Sequence, residues 1–142
     1  RLEVSRAFGQ LSQVTEMLEE RALQHYRDVL AEEGRLHREL DALADLQRGA
    51  VQDDVGIHAR RISGAEDQWS AWLAQRRLSL NQALVSLRLR KEQLRDAARL
   101  AHARQTVTRE LSDQAAAKEA AHRRARTEEA LRALTLLQRA DR

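Results

Sequence analysis

Residues 69–101 read WSAWLAQRRLSLNQALVSLRLRKEQLRDAARLA. Leu73, Leu80, Leu87 and Leu94 stand seven apart, and Trp69, Ala83, Leu84, Ala97, Ala98 and Ala101 fill the neighbouring helical position. A sevenfold apolar repeat on a helix makes one narrow stripe that needs another helix to cover it. The stripe runs on through Val107 and Leu111, thins to alanines between Ala115 and Ala125, and ends at Leu131, Leu134 and Leu137. No strong breaker interrupts it, and proline is absent from all 142 residues. The pattern predicts one helix over about 64–140, roughly 115 Å long at the α-helical rise. No compact globule holds such an element.

The upstream half carries a matching pattern. Leu11 and Leu18 are seven apart, and Ala22, Val29, Leu36, Leu43 and Ala50 continue at that interval on the adjoining position. Tyr26 and Leu40 widen the seam, while Thr15, His25 and Glu33 interrupt it. This predicts a first helix over about 2–48. Gly9 and Gly34 each cost about 1 kcal/mol against alanine, and Gly34 is the expected bend. Between Gly49 and Gly64 the periodicity fails, and three of the five glycines lie there. Ser63-Gly64-Ala65-Glu66 reads as a capping box, with Ser63 as N-cap and Glu66 reaching back to it.

The expected fold is therefore all-α: two long helices forming one antiparallel coiled-coil hairpin over 1–142, with a turn region at 49–63 and the second helix longer. With the reversal there, facing residues satisfy i + j of about 114. Leu43 then faces Trp69–Leu73, Val29 faces Leu84–Leu87, and the last ~30 residues find no partner within the chain.

Composition excludes most alternatives. Charged residues make up 33% and aromatics 3%, too few packing residues for a sandwich, barrel or doubly wound sheet. Without cysteine there is no disulfide framework and no thiolate metal site. No apolar run approaches the ~18 residues of a membrane span, so no direct membrane insertion is expected. No signal peptide is visible, although the chain opens at Arg1 rather than methionine; a cytoplasmic location is expected. The net charge of +3 hides an asymmetry: residues 1–50 carry 7 basic and 10 acidic side chains, residues 73–142 carry 16 and 8. Folded back on each other, the halves attract.

Catalytic chemistry finds no footing. His25, His37, His58, His102 and His122 are scattered with no i, i+4 pair, so no metal site is expected. No glycine-rich phosphate loop occurs, and carboxylates on exposed helix faces lack the cleft that shifts their pKa values. The expectation is a protein that is not an enzyme and takes no cofactor. Arg123, Arg124 and Arg126, with a pI of about 10.1, raise a nucleic-acid reading. Interleaved acids, rare lysine and the lack of aromatic platforms argue against it. The cluster reads as a solvated arginine face, or as a basic end that docks on an acidic protein surface. Trp69 and Trp72, three apart, cannot both point into a two-stranded seam. If Trp69 packs inward, Trp72 lies on the flank near Leu46 and Gln47, as a contact patch or as plain packing.

The run Leu40-Asp41-Ala42-Leu43-Ala44-Asp45-Leu46-Gln47, the glycine-bearing turn, then Trp69, Trp72-Leu73 and Leu80-Asn81-Gln82 resemble the FliJ family of flagellar export proteins and its injectisome counterpart, the YscO family. The resemblance covers nearly the whole chain and includes Lys91, Leu94 and the Arg/Gln/Ala-rich end. It departs where the family often has tyrosines at the positions of Leu46 and Ala50, and in a C-terminal part that is unusually rich in alanine and arginine. The resemblance implies a small component of type III secretion that sits in the pore of a hexameric export ATPase. Such a protein promotes ring assembly and activity, contacts the membrane-embedded export gate, and helps recycle export chaperones at the inner membrane. It places a gate-contact patch at Leu43, Leu46, Trp69 and Leu73, beside Gln47 and Trp72. The basic end, with Arg123, Arg124, Arg126, Leu131 and Leu134, is the expected ring contact. The alternatives are a coiled coil that self-associates through Leu131, Leu134 and Leu137, and a nucleic-acid-binding arm.

Overall fold

The computed structural model describes residues 2–142, with Asp54 by its backbone alone. Regular structure among them is entirely helical: α1 spans Leu2–Gln52, α2 Asp54–Ser63 and α3 Ala65–Ala140. The fold is all-α, with the second long helix the longer. The chain groups into two compact units rather than one. A terminal unit joins the residues up to Ala22 with Ala98–Arg142, and a turn unit comprises Leu23–Ala97.

In the turn unit α1 and α3 pack antiparallel on an aliphatic core. Leu36, Leu43, Leu73, Leu80 and Leu84 are buried together, with Leu40, Trp69 and Leu87 against them. Polar contacts across the pair put acceptors on α1 and cations on α3. Arg76 Nη2 meets Glu39 at 2.7 Å, Lys91 Nζ meets Glu33 at 3.1 Å, and Arg77 Nη2 donates to Gln47 at 2.7 Å. These pairs follow the charge asymmetry of the sequence, although each exposed one contributes only about 0–1 kcal/mol. Their residue-number sums are 115, 124 and 124, an average near 121 and not the expected 114. The cause is the reversal itself. Helix α1 runs to Gln52 instead of 48 and α3 starts at Ala65 instead of 64, which raises the sum at the turn from 112 to 117. Val29 consequently stands level with Lys91 rather than with Leu84–Leu87.

The turn region 49–63 is helical throughout except at Asp53. Asp53 interrupts the backbone between α1 and α2. Its carboxylate accepts from the Gly56 N–H at 3.1 Å and its carbonyl from the Ile57 N–H at 2.9 Å. A side chain at Gly56 would run into that carboxylate. Helix α2 stops at Gly64, whose φ of 76° lies in the left-handed region where glycine is unstrained. The expected capping box forms only in part: the Ser63 hydroxyl accepts from the Ala65 N–H at 3.4 Å, without the reciprocal bond from Glu66. Because Gly64 makes the reversal, Ser63 is the last residue of α2 and its hydroxyl donates to the Arg60 carbonyl at 3.2 Å. Glu66 binds Arg60 instead. Helix α1 continues through Gly34 without a break.

In the terminal unit the seam has a different chemistry. Its buried residues are Thr15, Ala98, Gln105 and Thr108. Thr15 Oγ1 lies 2.6 Å from Gln105 Oε1 and 3.0 Å from the Ser12 carbonyl, while Gln105 Nε2 is buried with no partner among the described residues. One hydroxyl proton cannot serve two acceptors. With the amide turned over, Nε2 donates to Thr15 and Thr15 donates to Ser12, which satisfies both donors. Leu11 and Leu18, expected in the seam, lie outside it and are half exposed. The inward row on α1 passes through Thr15, Val29, Leu36 and Leu43, a multiple of seven apart, so Thr15 occupies the seam position that it was expected to interrupt. From Arg123 onward every residue is exposed, a stretch shorter than the ~30 residues expected to lack a partner. No helix of the described residues is long and apolar enough to cross a membrane.

Candidate functional site

The residues expected to contact a partner divide by burial. Leu43 and Leu73 are 6% and 5% exposed and belong to the core, which removes them from any docking set. Leu46 and Trp72 are 54% and 53% exposed. Gln47 is exposed and holds Arg77. Trp69 is partly buried against the leucine cluster. An open groove passes between Leu46, Gly49 and Ala50 of α1, Arg60 of α2 and Trp69 of α3, with Asp45 and Asp53 on its rim. Two large apolar side chains beside an open groove suit hydrophobic contact with another polypeptide.

Arg60 builds this corner, and sequence reasoning missed it. Its Nη2 donates to the Ala50 carbonyl at 3.2 Å, its Nε to Glu66 at 2.9 Å, and its guanidinium lies 5.6 Å from the centroid of the Trp69 ring. One side chain thereby ties the last turn of α1 to the first two turns of α3. No local pattern signals this, because the partners lie on both sides of the turn. Arg60→Ala is expected to cost about 1–3 kcal/mol, through the lost carbonyl cap and ion pair. Thermal unfolding followed by tryptophan fluorescence measures it. Arg60→Lys restores little, since an ammonium cannot span both acceptors and the ring.

The second expected site is the basic end. Arg123, Arg124, Arg126, Leu131 and Leu134 are all exposed. Arg123 approaches Glu119 at 3.7 Å, and Arg123 and Arg124 edge a shallow groove with Ala120, Thr127 and Glu128. Leu136 and Leu137 are exposed on the same stretch. This segment offers cations and leucines side by side without any enclosed cavity.

Among the described residues no group of three or more His, Asp or Glu could hold a metal ion. Arg35, hydrogen-bonded and charge-paired to Glu32, holds that carboxyl below the usual range, while Glu32 and then Glu39 raise Arg35. Both residues stand in open solvent on α1. The small stabilisation from Glu32 is present at neutral pH and lost as pH falls through its lowered pKa. His102 Nδ1 meets Glu19 at 3.2 Å on the terminal unit. No protein-family description, curated protein or solved structure matches the chain.

Proposed function

We propose that this chain is a non-catalytic helical stalk of a type III secretion apparatus. It docks in the central pore of a hexameric export ATPase, promotes ring assembly and turnover, and links the ring to the export gate and export chaperones. It works in the cytoplasm, peripheral to the apparatus at the inner membrane. The observation that carries the reading is the separation of packing from docking residues. Leu36, Leu43, Leu73, Leu80 and Leu84 are committed inward, while Leu46, Trp72 and the whole segment 123–142 are left outward. So many large apolar side chains left outward beside the cations suit contact with another polypeptide.

The roles divide along the same line. The exposed cations Arg123, Arg124 and Arg126 steer the end into an acidic pore, where charge complementarity raises the association rate more than the affinity. Leu131 and Leu134 then supply apolar contact. Leu46 and Trp72, with the edge of Trp69 and Gln47, face the gate.

Adding the chain to a purified type III export ATPase is expected to raise ATP turnover. Removal of residues 123–142, which leaves the buried seam intact, is expected to abolish the rise. Trp72→Ala is expected to keep helix content and ATPase stimulation while weakening binding to the export-gate protein about tenfold or more, as for a central aromatic anchor. No stimulation by the full chain would overturn the proposal.

A further inference from the structure

The terminal unit carries an apolar face that its own packing leaves uncovered. Its seam is built from Thr15, Gln105, Thr108 and Ala98, yet Leu11, Val14 and Leu18 on α1 and Leu100, Val107 and Leu111 on α3 are 41–55% exposed. They fall on one side of the helix pair. Val4, on the sevenfold row of Leu11 and Leu18, lines an open groove together with Leu111, Gln114 and Lys118. The other side is polar: Glu16, Glu19, Glu20 and Arg109 edge a groove there with Met17.

The size of the face calls for a cover. From Val4 to the level of Leu100, a two-helix strip about 24 Å long and about 20 Å wide presents roughly 480 Å². That lies within the range of the largest patches monomers expose and is a little over half of the ~800 Å² per partner of a standard interface, the size of a weak association.

The charges beside the face indicate what covers it. Glu3 and Arg21 on α1 are centred on residue 12, and Arg104 and Glu110 on α3 are centred on Val107. The bond between Thr15 and Gln105 sets levels that sum to 120, so Val107 stands level with residue 13 of α1. Two independent charge pairs thus share one centre to within a residue. A two-fold axis across the face at that level lays α1 antiparallel on its copy and α3 antiparallel on its copy. Glu3 then meets Arg21 of the second copy, and Arg104 meets Glu110 of the second copy, which makes four pairs in all. All four residues are exposed, and none makes an ion pair among the described residues. A face that is largely apolar and charge-complementary to itself, with one pair of charges three residues either side of Val107 and another nine residues either side of residue 12, suits a closed, isologous dimer.

We propose that two copies of this chain associate through this face as an antiparallel four-helix bundle, with the two Val107 side chains at the two-fold axis. The proposal stands independently of the stalk reading.

Sedimentation of the full chain across a concentration series is the test. A monomer–dimer equilibrium is expected, on the order of 10–100 µM for an interface of this size. Val107→Glu should leave the circular dichroism unchanged and abolish the dimer. Arg104→Glu should weaken it about tenfold by turning two attractions into repulsions, and Arg104→Glu/Glu110→Arg should restore it. Because the chain has no cysteine, Val107→Cys reports contact cleanly, and mild oxidation should link two copies. A chain that stays monomeric throughout would overturn the proposal and assign the face to another protein. Linkage by Leu134→Cys but not by Val107→Cys would overturn it in favour of association through the C-terminal leucines.

Discussion

Leu80→Ala is expected to lower the unfolding free energy by about 2–4 kcal/mol, the range for truncating a buried leucine whose surroundings cannot fully collapse. Leu80 is 3% exposed and sits among Leu36, Leu43, Leu73 and Leu84. A two-helix core has no second layer from which to refill the space. Leu78, two residues earlier and on the opposite side of α3, is exposed, and Leu78→Ala is expected to change stability by less than about 0.5 kcal/mol. Urea denaturation followed by circular dichroism separates the two. Equal losses would mean that the inward row of α3 is misassigned.

The second large effect is expected at the polar seam, and it changes sign with the number of substitutions. Thr15→Val leaves the Gln105 amide, 3% exposed, with no side-chain partner, at a cost of about 1–3 kcal/mol. Thr15→Val with Gln105→Leu replaces both members by apolar groups of similar shape, and stability is expected to equal or exceed that of the parent chain. The double-mutant cycle should show a coupling of about 1–3 kcal/mol. Additive losses would mean that the two side chains do not meet. Such a pair is costly compared with leucine. It also fixes the level at which α1 and α3 meet, because a slip of one residue buries a hydroxyl and an amide group unpaired.

The turn unit was legible in the sequence because its inward row is both periodic and apolar. Leu36 and Leu43 on α1 and Leu73, Leu80 and Leu84 on α3 stand where spacing and hydropathy agree. The terminal unit was not legible in the same way, because the two signals separate there. The row that continues to face inward carries Thr15 on α1 and Gln105 and Thr108 on α3, while the leucines Leu11 and Leu18 sit beside it. Hydropathy selects the leucines; only the partner strand of the seam reveals that the hydroxyl and the amide meet each other. The register failed for a related reason. Ending α1 at 48 and treating 49–63 as the turn discards residues that α1 and α2 use as helix, and every facing pair shifts with them.

The candidate surfaces divided similarly. Trp72 and Leu46 are exposed because they lie off the inward row, as their spacing from Trp69 and Leu43 implies. Leu43 and Leu73 could not be separated from them by residue type, since a leucine reads alike in a core and in a patch. Arg60 was beyond reach. Its three partners, Ala50, Glu66 and Trp69, are brought together only after Gly64 reverses the chain.

Amide hydrogen exchange of the chain alone and with a type III export ATPase, below the concentration at which copies associate, tests the stalk reading most directly. In the free chain the leucine-cored turn unit should exchange slowest and residues 123–140 fastest. Addition of the ATPase should protect 123–140 and leave the amides around Leu46 and Trp72 unchanged. Protection confined to the turn unit, or no protection anywhere, would contradict the account.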